Sequence, residues 1–111
     1  MSDADDIDGL EPPIQAMLDA TNRGDRVALL AAFEPDAVLV DWGRTFTGKT
    51  AIARWNDDEN MGTHNVIAVN GVARSAAGVA VSVSVSGTGY TGDGTLTFQL
   101  GPHGIRRLVI T

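Results

Sequence analysis

The sequence predicts an α+β domain, with helices in its first half and an antiparallel sheet in its second. Two observations carry this. Between Pro12 and Phe33 the apolar residues recur at helical spacing, whereas from Thr63 onward they alternate at a period of two. The links between the later runs are short and rich in glycine, which suits antiparallel hairpins better than parallel crossovers.

A chain of 111 residues has room for one domain, and 43% apolar content is enough for a core without disulfide or metal staples. The absence of cysteine excludes disulfides, thiol catalysis and zinc–thiolate sites. The net charge of -6 is unevenly spread. Asp3, Asp5, Asp6, Asp8 and Glu11 fall in the first eleven residues with no base among them, so 1–11 is expected to be a flexible acidic leader. The remainder, 12–111, holds nine acids and eight bases and is expected to be a single domain. Neither part offers the basic footprint that nucleic acid or an anionic membrane requires. No signal-like or membrane-spanning run is present, and a cytoplasmic protein is expected.

Pro12-Pro13 suits the first turn of a helix, because the missing N–H groups cost nothing there. Ile14, Met17, Leu18 and Thr21 then form one stripe, and Gly24 ends it. Asp25 can cap a second helix over 26–33, whose scarcity of polar residues predicts that it is largely buried. Pro35 stops it. Residues 37–42 read as a strand covered on both faces, 45–47 as its short return, and 50–57 as a helix with Ile52 and Trp55 on one side. The polar stretch 56–60 reads as a loop. Strands are expected over 63–72, 79–86, 95–100 and 105–110. The second of these alternates Val with Ser, giving one apolar and one hydroxylic face.

The loudest motif misleads. Gly87-Thr88-Gly89-Tyr90-Thr91-Gly92 matches the dinucleotide-binding pattern, but an alternating strand follows it where a helix N-terminus is needed to meet pyrophosphate. No cofactor is therefore expected. His64 and His103 are far apart and Asp57-Asp58-Glu59 lacks calcium-loop spacing, so no metal is expected either.

Asp41 ends an otherwise apolar strand on the same side as Ala37 and Leu39. Facing a cavity, a dehydrated carboxylate there would serve as a general base. Facing the turn, it would instead bond backbone N–H groups or pair with Arg44. Trp42, His64 and Tyr90 are candidate hydrogen-bond donors near such a site, with ordinary packing as the alternative.

Two helices, a strand ending in Asp, a glycine-led helix bearing an aromatic, then a run of strands: this order resembles the nuclear transport factor 2-like superfamily, which includes ketosteroid isomerases and SnoaL-like polyketide cyclases. The residues that carry the resemblance are Gly24-Asp25, the run Phe33-Glu34-Pro35-Asp36-Ala37, Asp41, Gly48, Ile52 and Trp55. It implies a cone-shaped fold in which the helices pack into the concave face of a curved, mostly antiparallel sheet around an apolar pocket, in a homodimer. It places Asp41 as the general base and Trp55 on the pocket wall. Met17 and Leu96 stand where the isomerases carry their two oxyanion donors, a tyrosine and a protonated aspartic acid. The epoxide hydrolase branch needs two aspartates bridged by an arginine, and Arg44 or Arg54 would have to serve. The expectation is thus a small apolar ligand in a pocket made by Met17, Trp55, His64, Tyr90 and Leu96. Asp41 would act on it in isomerase- or cyclase-like chemistry. The alternative is a non-catalytic dimeric binding module of the same fold.

Overall fold

The computed structural model describes residues 9–111. Helices α1 (Pro12–Arg23), α2 (Arg26–Ala31) and α3 (Lys49–Trp55) pack against one curved sheet of six strands, ordered β2-β1-β6-β5-β4-β3. The strands are β1 (Phe33–Asp41), β2 (Arg44–Thr47), β3 (Val66–Ser75), β4 (Gly78–Ser86), β5 (Thr91–Gly101) and β6 (Gly104–Ile110). All neighbours are antiparallel except β1 and β6, whose parallel pairing joins the β1–β2 hairpin to the β6 edge of the β3–β6 meander.

The stripe on α1 is the one the spacing predicts: Ile14, Met17, Leu18 and Thr21 are all buried against the sheet. Gly24, at φ +70°, closes the helix, and the Asp25 carboxylate accepts from the Ala28 N–H at 3.0 Å to open α2. Along β4 the valines Val79, Val81 and Val83 are buried, and on β5 Leu96 and Phe98 continue the same layer. Ile105 and Leu108 of β6 are three residues apart yet both fully buried. A register shift in the β5–β6 pairing, between Gln99 and Leu100, absorbs the extra residue and returns both to the core face.

Several expectations need correction. The acidic leader lies outside the described residues as far as Asp8, but its last three residues are fixed to the domain. Leu10 joins the core, and Glu11 precedes α1 with its carboxylate on Arg74, Nη2 to Oε1 at 3.0 Å. That guanidinium holds the Glu11 carboxyl below the usual glutamate range. Helix α2 is shorter than 26–33 and buries only Leu29, while Val27 is exposed. A helix of under two turns has one inward position, and its apolar end, Phe33, belongs to β1. Strand β1 begins at Phe33, before Pro35. There the pairing with β6 is interrupted between Phe33 and Val38 and β2 has not yet begun, so proline's missing N–H breaks no ladder.

The stretch 56–60 is no loop but a π-helix (Asn56–Asn60), followed by a 3-10 turn (Met61–Thr63). Its ordering comes from polar burial. Asn60 donates through Nδ2 to Asn56 Oδ1 at 2.9 Å and to Thr21 Oγ1 at 3.1 Å, so amides take the place of an apolar stripe.

The glycines of the false nucleotide motif have a packing explanation. A Cβ on Gly87 would collide with the Asn65 side chain, and one on Gly89 would press the Thr63 methyl at 2.9 Å. One on Gly92 would meet the Tyr90 hydroxyl at 2.7 Å. The segment is the link that lets β4 and β5 close over the 63–65 corner, and a strand follows it directly.

Candidate ligand-binding and catalytic site

Between the helices and the concave face of the sheet lies a cavity of about 390 Å³, open at the end where β1 meets β2 and β4 meets β5. Its depth is apolar. Met17 from α1, Trp55 from α3, Ile67 from β3, Val83 and Val85 from β4, Leu96 from β5 and Ile110 from β6 all contribute. Polar residues also line it, among them Asp41, Arg44, Glu59, Asn60, Thr63, Asn65, Asp93 and Thr111. A mostly apolar hollow with a handful of convergent polar groups is the usual form of a small-molecule site.

Asp41 reaches it because β1 alternates. Ala37 and Leu39 are fully buried on the same side, and Asp41, two residues on, emerges where the core gives way to the cavity. Its side chain is 13% exposed. One oxygen, Oδ2, accepts two hydrogen bonds: from the Trp55 indole Nε1 at 3.0 Å and from Arg44 Nη2 at 2.9 Å. Among the described residues nothing donates to Oδ1. Of the two sequence alternatives for Asp41, the pairing with Arg44 is present, and the residue is also among those lining the cavity.

Arg44 does more than pair with its neighbour across the turn. Its Nη1 donates to Glu59 Oε2 at 2.7 Å and its Nη2 to Glu59 Oε1, so the guanidinium bridges two carboxylates that both line the cavity. Glu59, ahead of Asp41, raises the proton affinity of Arg44 and keeps it charged. Glu59 is the residue that sequence reasoning missed. It stood in an acidic run that reads as a solvated loop, and only the π-helix turns it toward Arg44.

Five of the six expected site residues, Met17, Asp41, Trp55, Leu96 and Tyr90, come together around this cavity. His64 does not. It caps the 3-10 turn in a left-handed conformation, φ +55°, and stands outside the lining. Of the other two donor candidates, the Tyr90 hydroxyl is committed to the backbone carbonyl of Asp93 at 2.9 Å. Trp42 lines the mouth, 66% exposed, and no described residue accepts from its indole N–H. Met17 and Leu96 form wall and offer no hydrogen bond. Among the described residues no cluster of three metal-ligating side chains occurs, and no helix is long and apolar enough to cross a membrane.

The family model of the SnoaL-like domain matches residues 14–107. No curated protein sequence matches the chain. Among solved structures, a candidate polyketide cyclase from Sinorhizobium meliloti superposes with a TM-score of 0.84 at 29% identity, over 92% of this chain and 95% of that one. A Mycobacterium tuberculosis protein in complex with estradiol-17β-hemisuccinate superposes at 0.77, with 16% identity over 88% of each chain. A computationally designed 17-OHP binder superposes at 0.78, with 18% identity over 89% of this chain and 86% of that one. These last two show a shared fold alone. With the helices set into a curved six-stranded sheet and the family match spanning most of its length, the chain belongs to the SnoaL-like domain family, with the nuclear transport factor 2-like fold.

Proposed function

We propose that this protein binds an apolar, oxygen-bearing ring compound in the cavity and that Asp41 acts on it as a general base. It would abstract or shuttle a proton next to a carbonyl, in isomerase- or cyclase-like chemistry without a cofactor. The single observation that carries this reading is the asymmetry of the Asp41 carboxylate. One oxygen is anchored by Trp55 and Arg44, and the other has no donor among the described residues, on a side chain that lines an apolar cavity. Anchoring orients the base, and the free lone pairs are where a substrate proton would go. Similarity to a candidate cyclase, and the ligands held by two more distant proteins of the same fold, support an oxygenated ring compound as the ligand class.

The wall sets a limit on rate. Oxyanion donors commonly supply ~3 kcal/mol each, and Met17 and Leu96 supply none. Efficient steroid isomerisation is therefore not the expected activity, and a substrate whose carbanion is already delocalised suits the site better. A second reading rests on Arg44 between Asp41 and Glu59, two carboxylates bridged by an arginine in the manner of the epoxide hydrolase branch. In that reading Asp41 takes a proton from the water whose oxygen bonds to an epoxide carbon, the ring C–O bond breaks, and the alkoxide released takes its proton from solvent. We further propose a homodimer formed through the outer sheet face, where Asn70, Ser84 and Asp93 make a polar ladder across three strands.

The test is a thermal-shift panel of apolar ketones, lactones, epoxides and steroids, followed by turnover of any binder by wild type and Asp41→Asn. A ligand at ~100 times its dissociation constant adds about 2.7 kcal/mol to folding stability, which is readily seen. Shifts with ketones and loss of turnover in Asp41→Asn support the base. Turnover of epoxides only, lost also in Glu59→Gln, supports the second reading. No shift across the panel would favour the non-catalytic dimeric module.

A further inference from the structure

At the mouth of the cavity one residue is held against its own preferences. Trp42 and Gly43 form the two-residue turn between β1 and β2, with φ +50° and +85°. Such a turn is built for Asn-Gly, since a bulky L-residue rarely adopts positive φ. Packing does not account for the tryptophan, because it is 66% exposed and its indole N–H has no partner among the described residues. The turn itself is pinned independently of the ring, by the Trp42 N–H donating to Ile110 O at 3.1 Å. Tyr90, the other exposed aromatic on this cavity, reaches the rim from the β4–β5 link and is 49% exposed. The two rings approach from β1 and β5, which flank β6 in the sheet, and the end of β6 lines the cavity between them. A backbone outlier that presents a large apolar side chain at a pocket rim motivates a functional reading.

We infer that Trp42 is a specificity-determining residue, stacking its indole on a flat conjugated ring of the ligand that projects past the cavity mouth, with Tyr90 beside it. The inference rests on the cavity reading above and adds a ligand chemistry to it: planar unsaturated rings are selected over saturated ones of the same skeleton. The selection comes from π-stacking, which a puckered aliphatic ring cannot match face to face. The apolar depth of the cavity would accept both kinds of skeleton equally.

The experiment is calorimetric titration of wild type, Trp42→Phe and Trp42→Asn with 2-naphthol and with decahydro-2-naphthol, alongside the melting temperature of each variant. The expected result is about tenfold tighter binding of the planar compound by wild type. That preference is retained in large part by Trp42→Phe and lost in Trp42→Asn. Because Asn suits the turn, Trp42→Asn is also expected to melt higher than wild type, which separates lost stacking from lost folding. Equal binding of the two compounds by wild type, or a preference that survives Trp42→Asn, overturns the role of Trp42 while leaving the cavity reading intact. Binding of neither compound overturns both. A lower melting temperature in Trp42→Asn would mark the indole as structural and overturn the inference.

Discussion

Strand β1 carries an acid at each end, and the two are used in opposite ways. Glu34, at its start, is 6% exposed and both of its oxygens are occupied: the His103 N–H donates to Oε2 at 3.0 Å and Arg106 Nε to Oε1 at 3.4 Å. The backbone has closed around it, since a Cβ on Gly101 would collide with the carboxylate. The His103 N–H, with Arg106 behind it, holds its carboxyl below the usual glutamate range. Asp41, at the other end, has two donors on one oxygen, none among the described residues on the other, and lines the cavity. A carboxylate that is fully satisfied organises a turn. One that is half satisfied, beside an apolar hollow, keeps an acceptor free.

The largest expected effect breaks this comparison by exchange. Asp41→Asn should lower turnover by about 10²- to 10⁴-fold, the usual contribution of a positioned base, with little change in melting temperature. Glu34→Gln should do the reverse, lowering the melting temperature while leaving turnover within a few-fold of wild type. Steady-state kinetics and thermal unfolding on the same two variants check both halves.

The wall of the cavity and the core beneath it should differ in the same sense. Phe98 is fully buried, and Phe98→Ala should cost about 3–5 kcal/mol in denaturant unfolding. Leu96, two residues along β5, already borders a hollow and loses fewer contacts, so Leu96→Ala should fall at or below the low end of the about 2–5 kcal/mol range for such changes. It should disturb ligand affinity instead. Equal costs would mean that the cavity is closed in solution.

A smaller effect sharpens the structural half. Gly101→Ala should lower the melting temperature, and much of that loss should vanish when Glu34 is also truncated to Ala, because the collision is with its carboxylate. The smallest effect is in pH. Glu34 and Glu11 both have folded values below their unfolded one of about 4.3, so they bind protons less readily when folded. Their stabilisation is complete above that value and is lost as pH falls through the folded values. Glu34→Gln should therefore flatten the acid limb of a stability–pH curve below about pH 4.3 and leave the neutral region parallel to wild type.

Much of this was legible in the residues. The α1 stripe, the Val–Ser alternation of β4 and the glycine at 24 each express a local rule with one satisfactory outcome, whereas the end of an apolar strand left Asp41 free to face either a cavity or the turn. The part that was not legible is the part made by tertiary contact. Glu59 meets Arg44 across 15 residues through a π-helix whose order comes from buried amides, and no hydrophobic period announces that. His64 suggested a donor by type alone, but its left-handed cap position turns on the 3-10 helix before it. The overestimate of α2 came from reading apolar content as burial when the helix was too short to surround itself.

If Asp41 is the base, it meets ligand in the cavity while Glu34 does not. The direct measurement is carbon-detected NMR of the side-chain carboxyls during titration with 2-tetralone, an apolar ring ketone of suitable size. The expected result is a saturable shift of the Asp41 carboxyl carbon, with Glu34 unmoved. A ligand that shifts Glu34 but leaves Asp41 still, or a titration that moves neither, would contradict the assignment of this cavity as the functional site.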